Sequence, residues 1–333
     1  MSKPAEILAE RLVEHRAVRA WSRLNPERVE PEGIDTLKLK NKSAVYRLGA
    51  VAPDGSAVIA KRCRAETAVI ERIIHEEFLP GVPTPSLKCY GFVEEPEGQA
   101  CWLFLEEAIG SEYSPLDAEH RTLAGRWLGM IQTAALRSGL ESRLPVRNSL
   151  HYLNLLRSSA GTLRQHLTNP ALHPDEIELL TILVSHCDMI ESHWSEIEET
   201  CTQSRQTLVH GDFVSKNVRI RRDSSGLSLL VFDWELAGWG VPATDLCQFT
   251  GRTISPDLAA YCEEANGAFS LSDMLEAKRL SECGMIFRLI DDISWATSWL
   301  VFDEYKFLAK PMSYLKSYEP RLAEAVRLPG RKQ

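Results

Sequence analysis

Several absences narrow this sequence before any motif is considered. Its eight cysteines, at 63, 89, 101, 187, 201, 247, 262 and 283, form no CxxC pair and no cysteine-histidine spacing suited to zinc, so they read as reduced, mostly packed thiols. No run reaches the ~18 apolar residues that a spanning helix needs. Charges in the opening MSKPAEILAERLVEHRAV also interrupt any signal-peptide core. Neither a membrane partner nor secretion is expected, and the expected location is cytoplasmic. Positive charge is in deficit: 38 Lys and Arg stand against 46 Asp and Glu, a net charge of −8. That balance offers no general attraction to phosphate backbones, and the basic stretches at Lys38 to Lys42 and Arg219 to Arg222 are too local to reverse it, so no nucleic-acid partner is expected. No internal repeat or low-complexity tract appears, which sets solenoids aside.

What is present is ordinary globular material, 44% hydrophobic and 25% charged, in a chain of 333 residues. A chain of that length exceeds what one hydrophobic core usually serves, so two packed lobes are expected. Residues 5 to 21 carry Ile7, Leu8, Leu12, Val13, Val18 and Trp21 at helical spacing. Strand-like segments follow at 36 to 39, 44 to 50 and 57 to 62, then a helical pattern at 66 to 79 that stops at Pro80-Gly81-Val82-Pro83. A strand pair at 87 to 93 and 101 to 105 closes the sheet-rich part. From about Glu119 to Cys201 the pattern is helical, broken near Pro145 and Asn169-Pro170. A β island interrupts it at 206 to 210, 217 to 221 and 227 to 232, with a turn at Asp223-Ser224-Ser225-Gly226, and helices resume from Ala243. These patterns predict an α+β protein of two lobes: residues 1–105 an antiparallel sheet with helices, 106–110 a hinge, and 111–333 mainly helical with the island inside it.

The chemistry-bearing residues cluster around that island. Leu208-Val209-His210-Gly211-Asp212-Phe213-Val214-Ser215-Lys216-Asn217 sets an Asp and an Asn five positions apart on a loop between apolar strands. Sixteen positions after Asn217, Leu229-Leu230-Val231-Phe232 runs into Asp233-Trp234-Glu235, and a hairpin would bring the two clusters together. Phosphoryl transfer needs hard oxygen ligands for magnesium, a group to accept the hydroxyl proton, and cations near the phosphates. Two carboxylates and an amide supply the first two needs. Lys61, at the end of Val58-Ile59-Ala60, would supply the third if Glu71 on the following helix holds its ammonium. Each element alone has a plain alternative as a polar turn, a strand-end carboxylate or a solvated basic rim. Their order and context together point to a kinase.

On these residues the chain resembles the aminoglycoside phosphotransferase and choline kinase-like superfamily, relatives of the protein kinases, from about residue 30 to about 310. HGDFVSKN, VFDWE and the trailing Gly238-Trp239-Gly240-Val241-Pro242-Ala243-Thr244-Asp245-Leu246 carry the resemblance. It implies a two-lobed protein kinase-like fold that binds ATP, or alternatively GTP, with Mg2+. Position by position it implies Asp212 as catalytic base, Asn217 and Asp233 as catalytic metal ligands, and Lys61, held by Glu71, on the nucleotide phosphates. Ser43 would contact phosphate from a loop at 39 to 46 that departs from the glycine-rich form of protein kinases. Glu106 and Ala108 would present hinge backbone to the adenine, and His210 and Asp245 would brace the catalytic loop. Val214 stands where peptide kinases carry lysine, which disfavours a protein substrate.

The expected partner is a small-molecule hydroxyl acceptor: an aminoglycoside or other antibiotic, a sugar, or an amino alcohol. Glu235, Asp291 and Asp292 are the candidate acceptor residues, acids that would suit an amino sugar. Trp295, Trp299 and Phe302, spaced by four and three, predict the buried stripe of a helix, with Asp303 and Glu304 beyond it. Two other readings stand beside the kinase: a non-catalytic nucleotide-binding or interaction protein, supported only by the glycine-free stretch at 38 to 46, and a metal-assisted phosphoester hydrolase, which leaves Lys61 and Glu71 unexplained.

Overall fold

A computed structural model describes residues 9–25, 30–40, 43–224, 226–248, 253–265, 274–301 and 304–327. In chain order the elements begin α1 (Arg16–Leu24), β1 (Ile34–Lys40), β2 (Ser43–Leu48), β3 (Val58–Arg64), α2 (Ala65–Arg72), β4 (Cys89–Glu94), β5 (Ala100–Glu106) and β6 (Ser111–Glu112). They continue through α3 (Ala118–Ala135), β7 (Val146–Arg147), α4 (Ser149–His166), α5 (Pro174–Ser192), α6 (Trp194–Thr202) and β8 (Thr207–Val209). The last are β9 (Val218–Asp223), β10 (Gly226–Val231), β11 (Gly238–Gly240), α7 (Leu258–Ala265), α8 (Met274–Thr297) and α9 (Tyr305–Ala325). The chain packs into two units, Met1–Tyr113 with Ser215–Ala237, and Ser114–Val214 with Gly238–Gln333. The 106–110 break expected from composition thus lies a few residues before the unit boundary, and the chain returns to the first unit for 215–237.

In the first unit an antiparallel sheet has the order β1-β2-β3-β5-β4. Its two faces follow from the two-residue period of a strand. Tyr46, Leu48, Val58, Ala60, Trp102 and Phe104 share one core with Val18 and Trp21 of α1, where the Trp21 ring lies 5.2 Å from that of Phe104. The alternate positions of β3 and β5 turn to the other face, where Cys63 and Cys101 pack with Ala68 of α2. Lys61, between Ala60 and Arg62, is therefore committed to the α2 face by register alone. The helix expected over 66 to 79 is α2 followed by a wider π-type turn at Ile73–Phe78. Widening lets the consecutive Ile73, Ile74 and His75 all be buried. The opening helix also differs from a single run: Ala9–Glu14 is a 3-10 turn, and His15 then caps α1 by accepting the N–H of Ala17 at 3.3 Å. Ile7 and Leu8 lie outside the described residues.

The island is two structures rather than one. β9 and β10 form the expected hairpin, in register from Gly226 opposite Asp223 to Val231 opposite Val218, with β6 on the far edge of β9; Ser225 of its turn lies outside the described residues. β8 instead pairs with β11 in the second unit, and β11 pairs with β7. β11 carries two glycines in three residues and so left no strand signal in the sequence. The chain after it is a single 3-10 turn at Pro242–Thr244, and regular helix returns only at α7.

The second unit is helical. Asp117 caps α3 by accepting the N–H groups of Glu119 and His120, and Asn148 caps α4 by accepting that of His151. Tyr152 of α4 stacks on Phe287 of α8 with ring centroids 4.1 Å apart. In α8 the buried positions are Leu280, Cys283, Ile286, Phe287, Ile290, Ile293 and Thr297. This stripe corrects the expectation for the tryptophans. Trp295 falls about 200° beyond Ile293 around the helix, and Trp295 and Trp299 are 45% and 53% exposed; Phe302 and Asp303 lie outside the described residues. Among the described residues no helix is long and apolar enough to cross a membrane.

Gly284 lets α8 close onto the turn before Asp245, because a Cβ there would stand 1.8 Å from the Ala243 carbonyl oxygen. Gly284→Ala is expected to cost about 1–3 kcal/mol of stability through this overpacking, read as a lowered midpoint in thermal or urea denaturation.

Candidate active site

Lys61 is a charged residue only 7% exposed, which demands a counter-charge. It has three. Its Nζ donates to Glu71 Oε1 and to Asp233 Oδ1, and Glu235 Oε2 stands 3.4 Å away. Glu71, at 0% exposure, reaches it from α2, the helix that Lys61 faces by strand register. Burial pulls the Lys61 ammonium downward, but Glu71, Asp233 and Glu235 together hold it well above its ordinary range. Burial raises the Glu71 carboxyl, and Lys61 opposes that rise.

The β9–β10 hairpin delivers Asp233 to this lysine. Asn217, 3% exposed at the end of the Ser215–Asn217 turn, accepts the Phe232 N–H through its carbonyl oxygen at 3.1 Å, so the two ends of the hairpin are tied together. Asp233 then adopts a left-handed backbone, φ 69° and ψ 58°. This conformation is uncommon for any residue but glycine and is often found at sites where a side chain must be re-aimed. Oxygen atoms of Glu71, Asp233 and Glu235 lie within 4.8 Å of one another. Such a set of hard carboxylate oxygens fits a magnesium ion by donor type.

Ser43 opens β2 opposite Lys40, and Asn41 and Lys42 of the same loop lie outside the described residues. Glu106 ends β5, with its side chain on Arg221 and on the Lys88 N–H, so it is tied to the protein itself. Ala108 follows in the irregular stretch before β6.

The second unit builds its own constellation around Asp212. Asp245, 3% exposed, accepts the N–H of His210 at 2.7 Å and that of Gly211 at 3.2 Å, while His210 Nδ1 accepts the Asp212 N–H at 3.2 Å. The loop backbone is thereby fixed from both sides. Burial pushes the Asp245 carboxyl up to about 7, against the pull of those two N–H donors and Arg288. Arg288 was not singled out in the sequence. Its Nη2 donates to Asp212 Oδ1 at 2.7 Å and its Nη1 to the Gly211 carbonyl at 3.2 Å. The available signal was helical spacing: Gly284, Arg288, Asp291 and Asp292 lie at intervals of three and four on α8. Asp291 and Asp292 fall one turn beyond Arg288, and Asp292 Oδ2 stands 3.6 Å from Arg321 of α9.

Residues 51–275 match the model of the phosphotransferase enzyme family, APH. This chain belongs to that family. Solved structures agree with the family's fold. An aminoglycoside phosphotransferase in complex with GDP and kanamycin is 11% identical with a TM-score of 0.63, covering 91% of this chain and 97% of that one. A spectinomycin phosphotransferase with ADP and spectinomycin is 10% identical with a TM-score of 0.57, covering 89% and 94%. An ethanolamine kinase from Plasmodium vivax is 13% identical with a TM-score of 0.55, covering 92% and 89%. No curated protein matches the chain. Phosphotransferase family membership accounts for the kinase-like pairing of an antiparallel sheet unit with a mainly helical one.

Asp245 generates a pH signature. Its folded carboxyl keeps a proton up to about pH 7, whereas an unfolded aspartate releases it near 3.9. Between those values the folded state binds the extra proton, so this residue's contribution to stability declines as pH rises from about 4 to about 7. Denaturation of wild type and Asp245→Asn across that range is expected to show a decline in wild type, on the order of 2–4 kcal/mol, that the variant lacks.

Proposed function

We propose that this phosphotransferase is a magnesium-assisted small-molecule kinase that transfers the γ-phosphoryl group of ATP, or alternatively of GTP, to a hydroxyl. The observation that carries the reading is the buried Lys61 ammonium caged by Glu71, Asp233 and Glu235. The carboxylates offset the cost of burying this cation, and a lysine so fixed is a ready point charge for nucleotide phosphates. The GDP and ADP in the neighbouring structures support either donor.

In this reading the first unit handles the nucleotide. Lys61 meets the phosphates, Glu71 keeps its ammonium in place, Ser43 adds a hydroxyl, and the backbone at Glu106 and Ala108 takes the adenine edge. Asn217 and Asp233 would hold magnesium, which would supply positive charge to offset that of the nucleotide phosphates. The second unit handles the acceptor. Asp212 accepts the hydroxyl proton as that oxygen bonds to the γ-phosphorus and the bond to the β–γ bridging oxygen breaks. His210 and Asp245 fix the loop that presents Asp212. Of the acids assigned to the acceptor, Asp291 and Asp292 lie in this unit, while Glu235 lies in the first, 3.4 Å from Lys61.

The division of labour is testable by separating binding from turnover. Asp212→Asn should lower kcat by about 10²–10⁴-fold while nucleotide affinity stays near wild type. Lys61→Met should weaken nucleotide binding by about 10–100-fold, the loss of a charge-assisted contact. Steady-state kinetics and calorimetric titration of the nucleotide measure both. Full turnover by Asp212→Asn would show that another group accepts the proton.

A further inference from the structure

The aspartates of the second unit are not waiting for a cation. Asp212 is paired with Arg288 at 2.7 Å and Asp292 with Arg321 at 3.6 Å. Arg147 and Arg288 both act on Asp291, whose carboxyl burial pushes up to about 7. At Asp212 and Asp292 an incoming amine would have to displace a resident guanidinium group.

Arg147 differs from the other two arginines. Among the described residues it makes no ion pair, and its one hydrogen bond joins Nη1 to His151 Nε2 at 2.9 Å. Burial and Arg147 itself hold the His151 imidazole down to about 4, so this partner is neutral. The Arg147 Nε is buried without a hydrogen-bond acceptor, an exception in proteins, where buried donors are nearly always paired. Its placement is built into the fold. A Cβ at Gly240 would stand 2.0 Å from the Arg147 carbonyl oxygen, and one at Gly238 would stand 2.4 Å from Arg147 Cγ. The glycines of Gly238-Trp239-Gly240 thus clear the backbone and stem of this arginine.

With Nη1 spent on His151 and Nε buried, Nη2 is the guanidinium nitrogen left to meet a ligand, and the charge it carries suits the oxygen of a carboxylate. We infer that the acceptor is a hydroxy acid whose carboxylate is held by Arg147, in a cluster where Arg288 and Arg321 already neutralise Asp212 and Asp292. Asp291, whose carboxyl burial pushes up to about 7, repels such a group less than a carboxylate of ordinary acidity would. This inference rests on the kinase reading and names its substrate class.

The test sorts acceptors by charge at constant shape: glucuronate, glucose and glucosamine, and glycerate, glycerol and 3-amino-1,2-propanediol, each with magnesium and ATP and the full chain. The anionic member of a series is expected to have kcat/KM at least about tenfold above its neutral and cationic partners, the gain of one charge-assisted contact. Arg147→Met should erase that preference through KM while nucleotide affinity holds, and Arg147→Lys, which keeps charge but loses the planar fork, should fall between. Preference for the amine, or an unchanged charge preference in Arg147→Met, overturns the inference. If either variant fails to fold, the wild-type charge order decides. If nothing in either series is phosphorylated, calorimetric titration of glucuronate and glycerate into wild type decides, and no binding overturns the inference. Nucleotide binding, measured separately, reports on the kinase reading itself.

Discussion

The buried ammonium of Lys61 is the constraint around which the first unit is organised. A lone charge at that depth would be driven to neutrality, so the fold must bring carboxylates to it from parts of the chain that are far apart in sequence. Glu71 comes from the next helix, and Asp233 and Glu235 come from a hairpin that leaves the helical region to pack with the sheet. The same electrostatic demand explains why residues 215–237 belong with the first unit. It also explains why Asp233 tolerates a left-handed backbone: the salt bridge and the tie between Asn217 and Phe232 over-determine its position.

The second unit solves a different problem, that of holding one carboxylate on a loop. It does so with backbone donors and a helix. Asp245 gathers two consecutive N–H groups, His210 takes a third, and Arg288 ties both the side chain of Asp212 and the carbonyl before it. The arrangement depends on Gly284, since α8 must touch the turn preceding Asp245 for Arg288, one helical turn later, to reach the loop. Packing at one small residue therefore sets the electrostatics of another four positions away.

Charge balance separates the two units. Three carboxylates face one lysine in the first, an excess of negative charge that suits a metal ion. In the second, Asp212 and Asp292 are each paired with an arginine, and Arg147 makes no ion pair among the described residues. An acid-rich stretch of sequence is thus a poor guide to the charge of a ligand, because the arginines that neutralise it come from other elements.

Much of this protein was determined locally. The strands at β1 to β5 and the helical run from α3 to α6 follow from period and breakers, and the residues HGDFVSKN and VFDWE carry the resemblance to the family in their order alone. Strand register placed Lys61 on the face of α2, and loop spacing put Asp212 near Asn217 in the chain. Tertiary structure decided what no window of sequence contains. It split the β island between two units, because β11, nearly all glycine, has pairing partners but no strand signal. It turned Trp295 and Trp299 outward, because the buried stripe of α8 is set by what packs on it. It brought Arg288 and Arg321 to aspartates many residues away, because long-range ion pairs are chosen by the packing of whole elements and leave no periodic trace in the chain.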